Sequence, residues 1–166
     1  SVKVSSTTLS GTVWSEGLPD VSKKAIITSN LTLSSNIKAC SIEVNNNAVI
    51  TIPANMVFTV NDEVEVQSWN IIVESDGNLY QINENAVNTG VITVKRNAKL
   101  KLKDYNYWAS PVSNQQLKSF SSGTVDSGFY TYNEPTDTFL KAMTMNNFIA
   151  GKGYEIRASA SATVSV

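Results

Sequence analysis

The sequence predicts an all-β chain: a short three-faced parallel β-solenoid capped by a small antiparallel β layer. Three observations carry this. Val, Ile and Thr supply 45 of the 166 residues, a composition that favours strands. Short apolar runs recur seven or eight residues apart through the middle of the chain. A shift of 22 residues lays these runs over one another. A β-sandwich whose strands happen to fall at this spacing is the alternative architecture.

Residues 1–24 read as an N-terminal cap, with Trp14 in GTVWSEGLP placed to plug an apolar lumen. Residues 25–104 read as solenoid rungs. The runs at 42–44, 49–52, 57–60, 64–66, 71–73 and 79–82 are too closely spaced for ordinary hairpins. Under the 22-residue shift Ile42 meets Val64, Glu43 meets Glu65 and Val44 meets Val66. Val49 meets Ile71, Ile50 meets Ile72, Val57 meets Leu79, Phe58 meets Tyr80 and Val60 meets Ile82. Three strands per repeat make one rung, and no rung buries its own face alone. Weaker rungs are expected at 25–37 and 91–102. The corners at 45–47, 53–55, 61–63, 75–78 and 83–85 are rich in Asn, Asp and Gly, which tolerate left-handed backbone and bond locally to the main chain.

The stretch 91–103, VITVKRNAKLKLK, reads as a long alternating strand. Ala98, Leu100 and Leu102 face in. Lys95, Lys99, Lys101 and Lys103 face out, as a solvated face or as a basic stripe for acidic polysaccharide. Residues 105–166 read as the antiparallel layer packed on the solenoid end. It contains a helical turn around 113–119, a hairpin over 129–142 with an EPTD turn, and a last strand at 151–157 entered through Gly151 and Gly153. Ten of the chain's 14 aromatic residues lie here, as a core or as a ligand platform. The final SATVSV stops in what reads as a strand, so a piece of a longer chain is expected.

Composition excludes several chemistries. The chain has no histidine and one cysteine, so Ser-His-Asp triads, His metal sites and disulfide frameworks cannot form within it. A net charge of −1 argues against a nucleic-acid partner. No run of about 18 apolar residues exists, so no membrane insertion is expected. Cys40 sits in an apolar–polar alternation and reads as a buried residue. Asn30-Leu31-Thr32 is a glycosylation sequon, relevant only in a eukaryotic host.

Candidate sites are few. Glu43 with Glu65, and Asp62 with Glu84, are carboxylate pairs that the repeat places on adjacent rungs, where neighbours share a raised pKa. Their outward positions on a flat face read as solubilising. Arg96 and Arg157, the only arginines, neighbour no acidic cluster in sequence, as a lyase would need. No catalytic residue is assigned, and no enzyme is expected. No cofactor is expected either, although calcium is conceivable at the oxygen-rich corner of Asp62, Glu63 and Glu84. Tyr105, Tyr107, Trp108, Tyr130 and Tyr132 form a candidate carbohydrate platform.

The phrases ACSIEVNNNAVITIP at 39–53, TGVITVKRN at 89–97, YWASPV at 107–112 and FIAGKGYEIR at 148–157 occur in this order. Together they resemble a module of large secreted surface proteins of Bacteroidota exported by the type IX secretion system. The resemblance implies an extracellular, adhesin-like role in a multidomain chain, with no catalytic residues. The leading expectation is a non-enzymatic structural or adhesive module at the cell surface. A carbohydrate-binding module and a strand-edge assembly subunit are the alternatives. The expected partners are extracellular glycans or other copies of the surface protein.

Overall fold

The computed structural model of the chain describes residues 4–67 and 70–165. Residues 1–3 of the expected cap, and the last residue of the expected final strand, lie outside them. The chain divides into two compact units, residues 1–96 and 97–166.

The first unit is the β-solenoid. Its strands are β1 (Ser5–Ser10), β2 (Val13–Trp14), β3 (Lys23–Ile27), β4 (Leu31–Thr32), β5 (Ile37–Ala39), β6 (Ser41–Val44), β7 (Ile50–Ile52), β8 (Val57–Val60), β9 (Val64–Val66), β10 (Ile71–Val73), β11 (Asn78–Gln81) and β12 (Ile92–Val94). They form three sheets, in the orders β2-β1-β3-β6-β9, β4-β7-β10-β12 and β5-β8-β11. All neighbours are parallel except β1 and β2. The solenoid thus forms as expected, and the sandwich does not. The expected cap at 1–24 is partly a rung: β1 pairs in parallel with β3, from Ser5 on Lys23 to Leu9 on Ile27. Trp14 folds back on Leu9 in the β1–β2 hairpin and packs against the core.

Inward residues stack along each face. Leu9, Ile27, Val44 and Val66 make one column; Leu31, Ile50, Ile71 and Ile92 make another; Ile37, Phe58 and Leu79 make a third. Ile27, Ile42, Val44, Ile50, Ile52, Phe58, Val60 and Ile71 are completely buried. The corners follow the expected chemistry at three places. Asn46, Asn47, Asn55 and Asp76 all take positive φ. At the corner of 75–78, a Cβ on Gly77 would lie 2.5 Å from the Ile52 carbonyl oxygen of the rung beneath, so only glycine fits.

The 22-residue register needs correction on two faces. Ile42, Glu43 and Val44 do pair with Val64, Glu65 and Val66. Ile50, however, pairs with Ile71, and Phe58 with Leu79, each 21 residues on. Position 44 to position 50 is six steps and position 66 to position 71 is five, so the second corner is one residue shorter. Side chains alternate along a strand, so an uncorrected 22-residue register would have turned Ile72 inward. The shorter corner keeps Ile71 over Ile50 and leaves Ile72 half-buried on the outer side.

Polar side chains close the ends of the stack. At the first rung, Thr7 occupies an inward position; its Oγ1 donates to the Gly17 carbonyl at 2.8 Å and accepts the Glu16 N–H. At the far rung, Gln81 takes the inward position above Val60. It exchanges two 2.8 Å hydrogen bonds with Asn88, whose Oδ1 also accepts the Val64 N–H. The next residues cover the edge of β9: Val66 N–H donates to the Thr89 carbonyl, and Thr89 N–H to the Val64 carbonyl. Gly90, at φ +86°, lies so close that a Cβ would meet the Val66 carbonyl oxygen at 1.8 Å.

The second unit is antiparallel. It holds β13 (Asn97–Leu100), β14 (Tyr105–Trp108), the helical turn α1 (Leu117–Phe120), β15 (Phe129–Asn133), β16 (Thr138–Lys141), β17 (Tyr154–Arg157) and β18 (Ala162–Ser165). β13 pairs with β18, so residues 97–104, expected to continue the solenoid, belong here instead. The long strand expected at 91–103 is thereby split. Leu102, expected to face in, is exposed, and the lysines form no single stripe: Lys95 is tied to Glu74 at 2.9 Å in the solenoid. The main sheet has the order β14-β17-β15-β16. The hairpin at 129–142 forms as read, with Asp137 in left-handed conformation at its turn. The core of this unit is Leu117, Phe129, Phe148, Tyr154 and Ile156.

Phe58 and Thr59 are neighbours on opposite sides of β8. Phe58→Ala is expected to cost about 3–5 kcal/mol, through lost burial and the cavity left behind. Thr59→Ala is expected to stay within about 0.5 kcal/mol. Urea denaturation of the two variants, followed by circular dichroism, checks this.

Candidate functional site

Strand register sorts the aromatic residues of the second unit onto two faces. Tyr105 lies opposite Arg157, and Tyr107 opposite Glu155. Glu155 lies opposite Tyr130, Tyr130 opposite Lys141, and Tyr132 opposite Phe139. Directly opposed residues share a face, so four tyrosines and Phe139 stand together with Glu155, Arg157 and Lys141. The other face carries Trp108, Tyr154, Ile156 and Phe129 and holds the core.

The expected platform is therefore assembled in four of its five members. Tyr105, Tyr107 and Tyr132 are 40%, 72% and 46% exposed, and Tyr130 is half-buried. Trp108 does not join them. It points to the core face and meets the edge of Phe120, with ring centroids 5.0 Å apart at 68°. Alternation along β14 explains the separation, because residues 105 and 107 share a side that 108 cannot. Phe139 is an addition that sequence reasoning placed only in the layer's aromatic count. The pairs on this face are inclined rather than coplanar: Tyr105 and Tyr130 meet at 5.9 Å and 70°, Tyr132 and Phe139 at 5.3 Å and 60°. The outward surface is thus ridged, with ring edges as well as faces presented to solvent.

Two phenols on this face are held in their neutral form. The negative charge of Glu155 beside Tyr107 pushes its pKa up. Tyr132 donates its hydroxyl proton to the Asp137 carboxylate, which also raises its pKa and anchors the ring at the hairpin turn. Carboxylates, a guanidinium and phenol hydroxyls thus interleave with aromatic carbon on one face, a mixture suited to a ligand with both C–H surfaces and hydroxyls.

The corner proposed for calcium is organised differently from that expectation. Asp62 Oδ1 accepts from Asn83 Nδ2 at 2.8 Å, and the Asp62 carbonyl accepts from Gln81 Nε2 at 2.6 Å. Glu84 is exposed. Among the described residues no three His, Cys, Asp or Glu side chains converge as a metal ligand set, so Asp62, Glu63 and Glu84 are not brought together as one.

The stacked pair Glu43 and Glu65 is occupied by a cation. Lys24 Nζ lies 2.7 Å from Glu43 Oε2 and 2.7 Å from Glu65 Oε2. Asn45 Nδ2 donates to Glu43 Oε1 at 2.6 Å. These hydrogen bonds hold the Glu43 carboxyl below its usual range, Lys24 contributing most. That reverses the raised pKa expected for two adjacent carboxylates. Lys24, for its part, is raised by the same two partners against the opposing effect of its own burial.

Residues 5–166 match the family described as Domain of unknown function (DUF8693). The chain belongs to this family. The DUF8693 match runs through both units, so solenoid and antiparallel sheet are parts of one family unit. No curated protein and no solved structure matches the chain.

Lys24 escaped sequence reasoning because it pairs across 19 and 41 residues and sits two positions before the row of the glutamates it serves. Lys24→Met leaves two stacked carboxylates without a counter-charge. A loss of about 1 kcal/mol is expected at pH 7, the upper end for partly exposed ion pairs. The folded pKa of Glu43 is lowered, so this stabilisation is fully present above the unfolded value, near roughly 4.3, and disappears as pH falls through the folded value. The stability gap between wild type and Lys24→Met should therefore stay level above about pH 6 and close on acidification. Urea titrations across this range measure it.

Proposed function

We propose that the chain is a non-enzymatic structural and adhesive module of a secreted bacterial cell-surface protein. In this reading the solenoid is the rigid element. Its parallel ladders and buried aliphatic columns resist local opening, as a spacer at a cell surface requires. The Ser-, Thr- and Asn-rich composition and low charge suit an extracellular setting. The resemblance of the phrases at 39–53, 89–97, 107–112 and 148–157 to type IX-exported surface modules points the same way.

The observation that carries the adhesive part is the outward face of Tyr105, Tyr107, Tyr130, Tyr132 and Phe139. Three of the tyrosines are well exposed, although a small unit stabilises itself best by burying such rings. Sugar rings present C–H faces that pack on aromatic carbon and hydroxyls that bond to Glu155, Arg157 and phenol oxygens. A glycan of the cell surface or matrix is the ligand class this face suits best.

A glycan array with the intact chain is the test. Tyr107→Ala combined with Tyr105→Ala is expected to reduce binding by about tenfold or more, equivalent to roughly 1.4 kcal/mol, with an unchanged melting temperature. Binding that survives both substitutions would overturn the assignment of this face. Robust turnover of a polysaccharide would overturn the non-enzymatic reading.

A further inference from the structure

The main sheet of the second unit has the order β14-β17-β15-β16, so β16 is a terminal strand. All four of its residues are exposed, Phe139 at 45% and Leu140 at 48%. An edge strand carries a row of main-chain donors and acceptors that another strand can use.

The hairpin register says which groups these are. Ala142 N–H donates to the Phe129 carbonyl at 2.9 Å, one step beyond the Tyr130–Lys141 pair. Hydrogen-bonded and non-hydrogen-bonded pairs alternate along an antiparallel ladder. Leu140 and Thr138 therefore bond to β15 as well, while Phe139 and Lys141 direct their N–H and C=O groups to the open side.

The charges along this edge are ordered. Lys141 lies opposite Tyr130 and Phe139 opposite Tyr132, so both stand on the aromatic face. The Asp137 carboxylate is on that face too, because it accepts the hydroxyl hydrogen bond of Tyr132. The edge thus carries an anion two residues before Phe139 and a cation two residues after it. A second copy, running antiparallel about a two-fold axis at Phe139, brings each Lys141 opposite Asp137 of the other chain. Phe139 then meets its own copy through their free main-chain groups, and Leu140 meets Thr138 on the core side of the sheet. An axis at Leu140 would set Lys141 against Phe139 and forfeit both charge pairs. The opposite edge, β14, has no charged residue between Tyr105 and Trp108 and offers no such match.

We infer that the chain pairs with a second copy of itself through β16, joining two four-stranded sheets into one of eight strands. The edge strand and its two charges select this partner. The inference goes beyond the glycan reading and does not rest on it, since Tyr105 and Tyr107 lie on the opposite edge strand and stay uncovered.

Sedimentation velocity of the intact chain tests it. One strand edge is a small interface, so a dimer with a dissociation constant on the order of 10–100 μM is expected. Lys141→Glu sets carboxylates against each other and should weaken the dimer at least about tenfold. Asp137→Asn, which suits the left-handed turn, should weaken it several-fold, and so should added salt. In a Cys40→Ser background, Phe139→Cys should give a disulfide-linked dimer on mild oxidation, because opposed Cα atoms of a hydrogen-bonded pair lie about 5.5 Å apart. Leu140→Cys should not link, being two positions out of register with its copy. A monomer at every concentration up to about 1 mM would overturn the inference. So would a dimer indifferent to Lys141→Glu, or linkage through Leu140→Cys in preference to Phe139→Cys.

Discussion

Everything in the solenoid depends on inward side chains stacking in register from rung to rung. Neighbouring strands lie roughly 4.8 Å apart, so an inward residue finds its main partners directly above and below it. A single rung has no interior, and the interior exists only as columns such as Leu31–Ile50–Ile71–Ile92. The corners exist to preserve that register. Asn46, Asn47, Asn55 and Asp76 turn the chain in left-handed conformation, and Asn30 and Asn36 accept the Val49 and Val57 N–H groups where a strand begins. Two columns end on a polar side chain in place of an aliphatic one: Ala25 and Ile42 lead to Thr7 at one end, and Ala39 and Val60 lead to Gln81, bonded to Asn88, at the other.

The same constraint acts on the outer surface. Equivalent outward positions also stack, and so Glu43 falls on Glu65. Two carboxylates at that spacing repel, and Lys24 bridges both. Low overall charge is the general solution to this problem, and the Lys24 bridge is the local one. Elsewhere Lys95 pairs with the single carboxylate of Glu74.

Much of the solenoid is legible in the sequence, because its determinants are local. Apolar runs mark the strands, and Asn, Asp and Gly mark the corners at 45–47, 53–55 and 75–78. The register on the first face is legible too, since Ile42-Glu43-Val44 and Val64-Glu65-Val66 are nearly the same word. The other faces are not, because a corner one residue shorter resets the phase after Val66, and apolar Ile71 and Ile72 fit either choice. The end of the solenoid is hidden for a similar reason. β12 and β13 read as one alternating strand, and only the distant β18 claims β13. The aromatic face is half legible: alternation puts Tyr105 with Tyr107, and Tyr130 with Tyr132, but the pairing of β14, β17 and β15 decides that the two sets share a side.

The two units thus differ in kind: a stack whose rigidity comes from register, and a sheet whose outward aromatic face carries the proposal of glycan contact. The register is the premise on which that rigidity stands. Methyl–methyl nuclear Overhauser contacts in isoleucine-labelled protein test it most directly. The account predicts one continuous series from Ile50 to Ile71 to Ile92, with Ile72 outside it. A strong contact from Ile50 to Ile72 in place of Ile71 would contradict it.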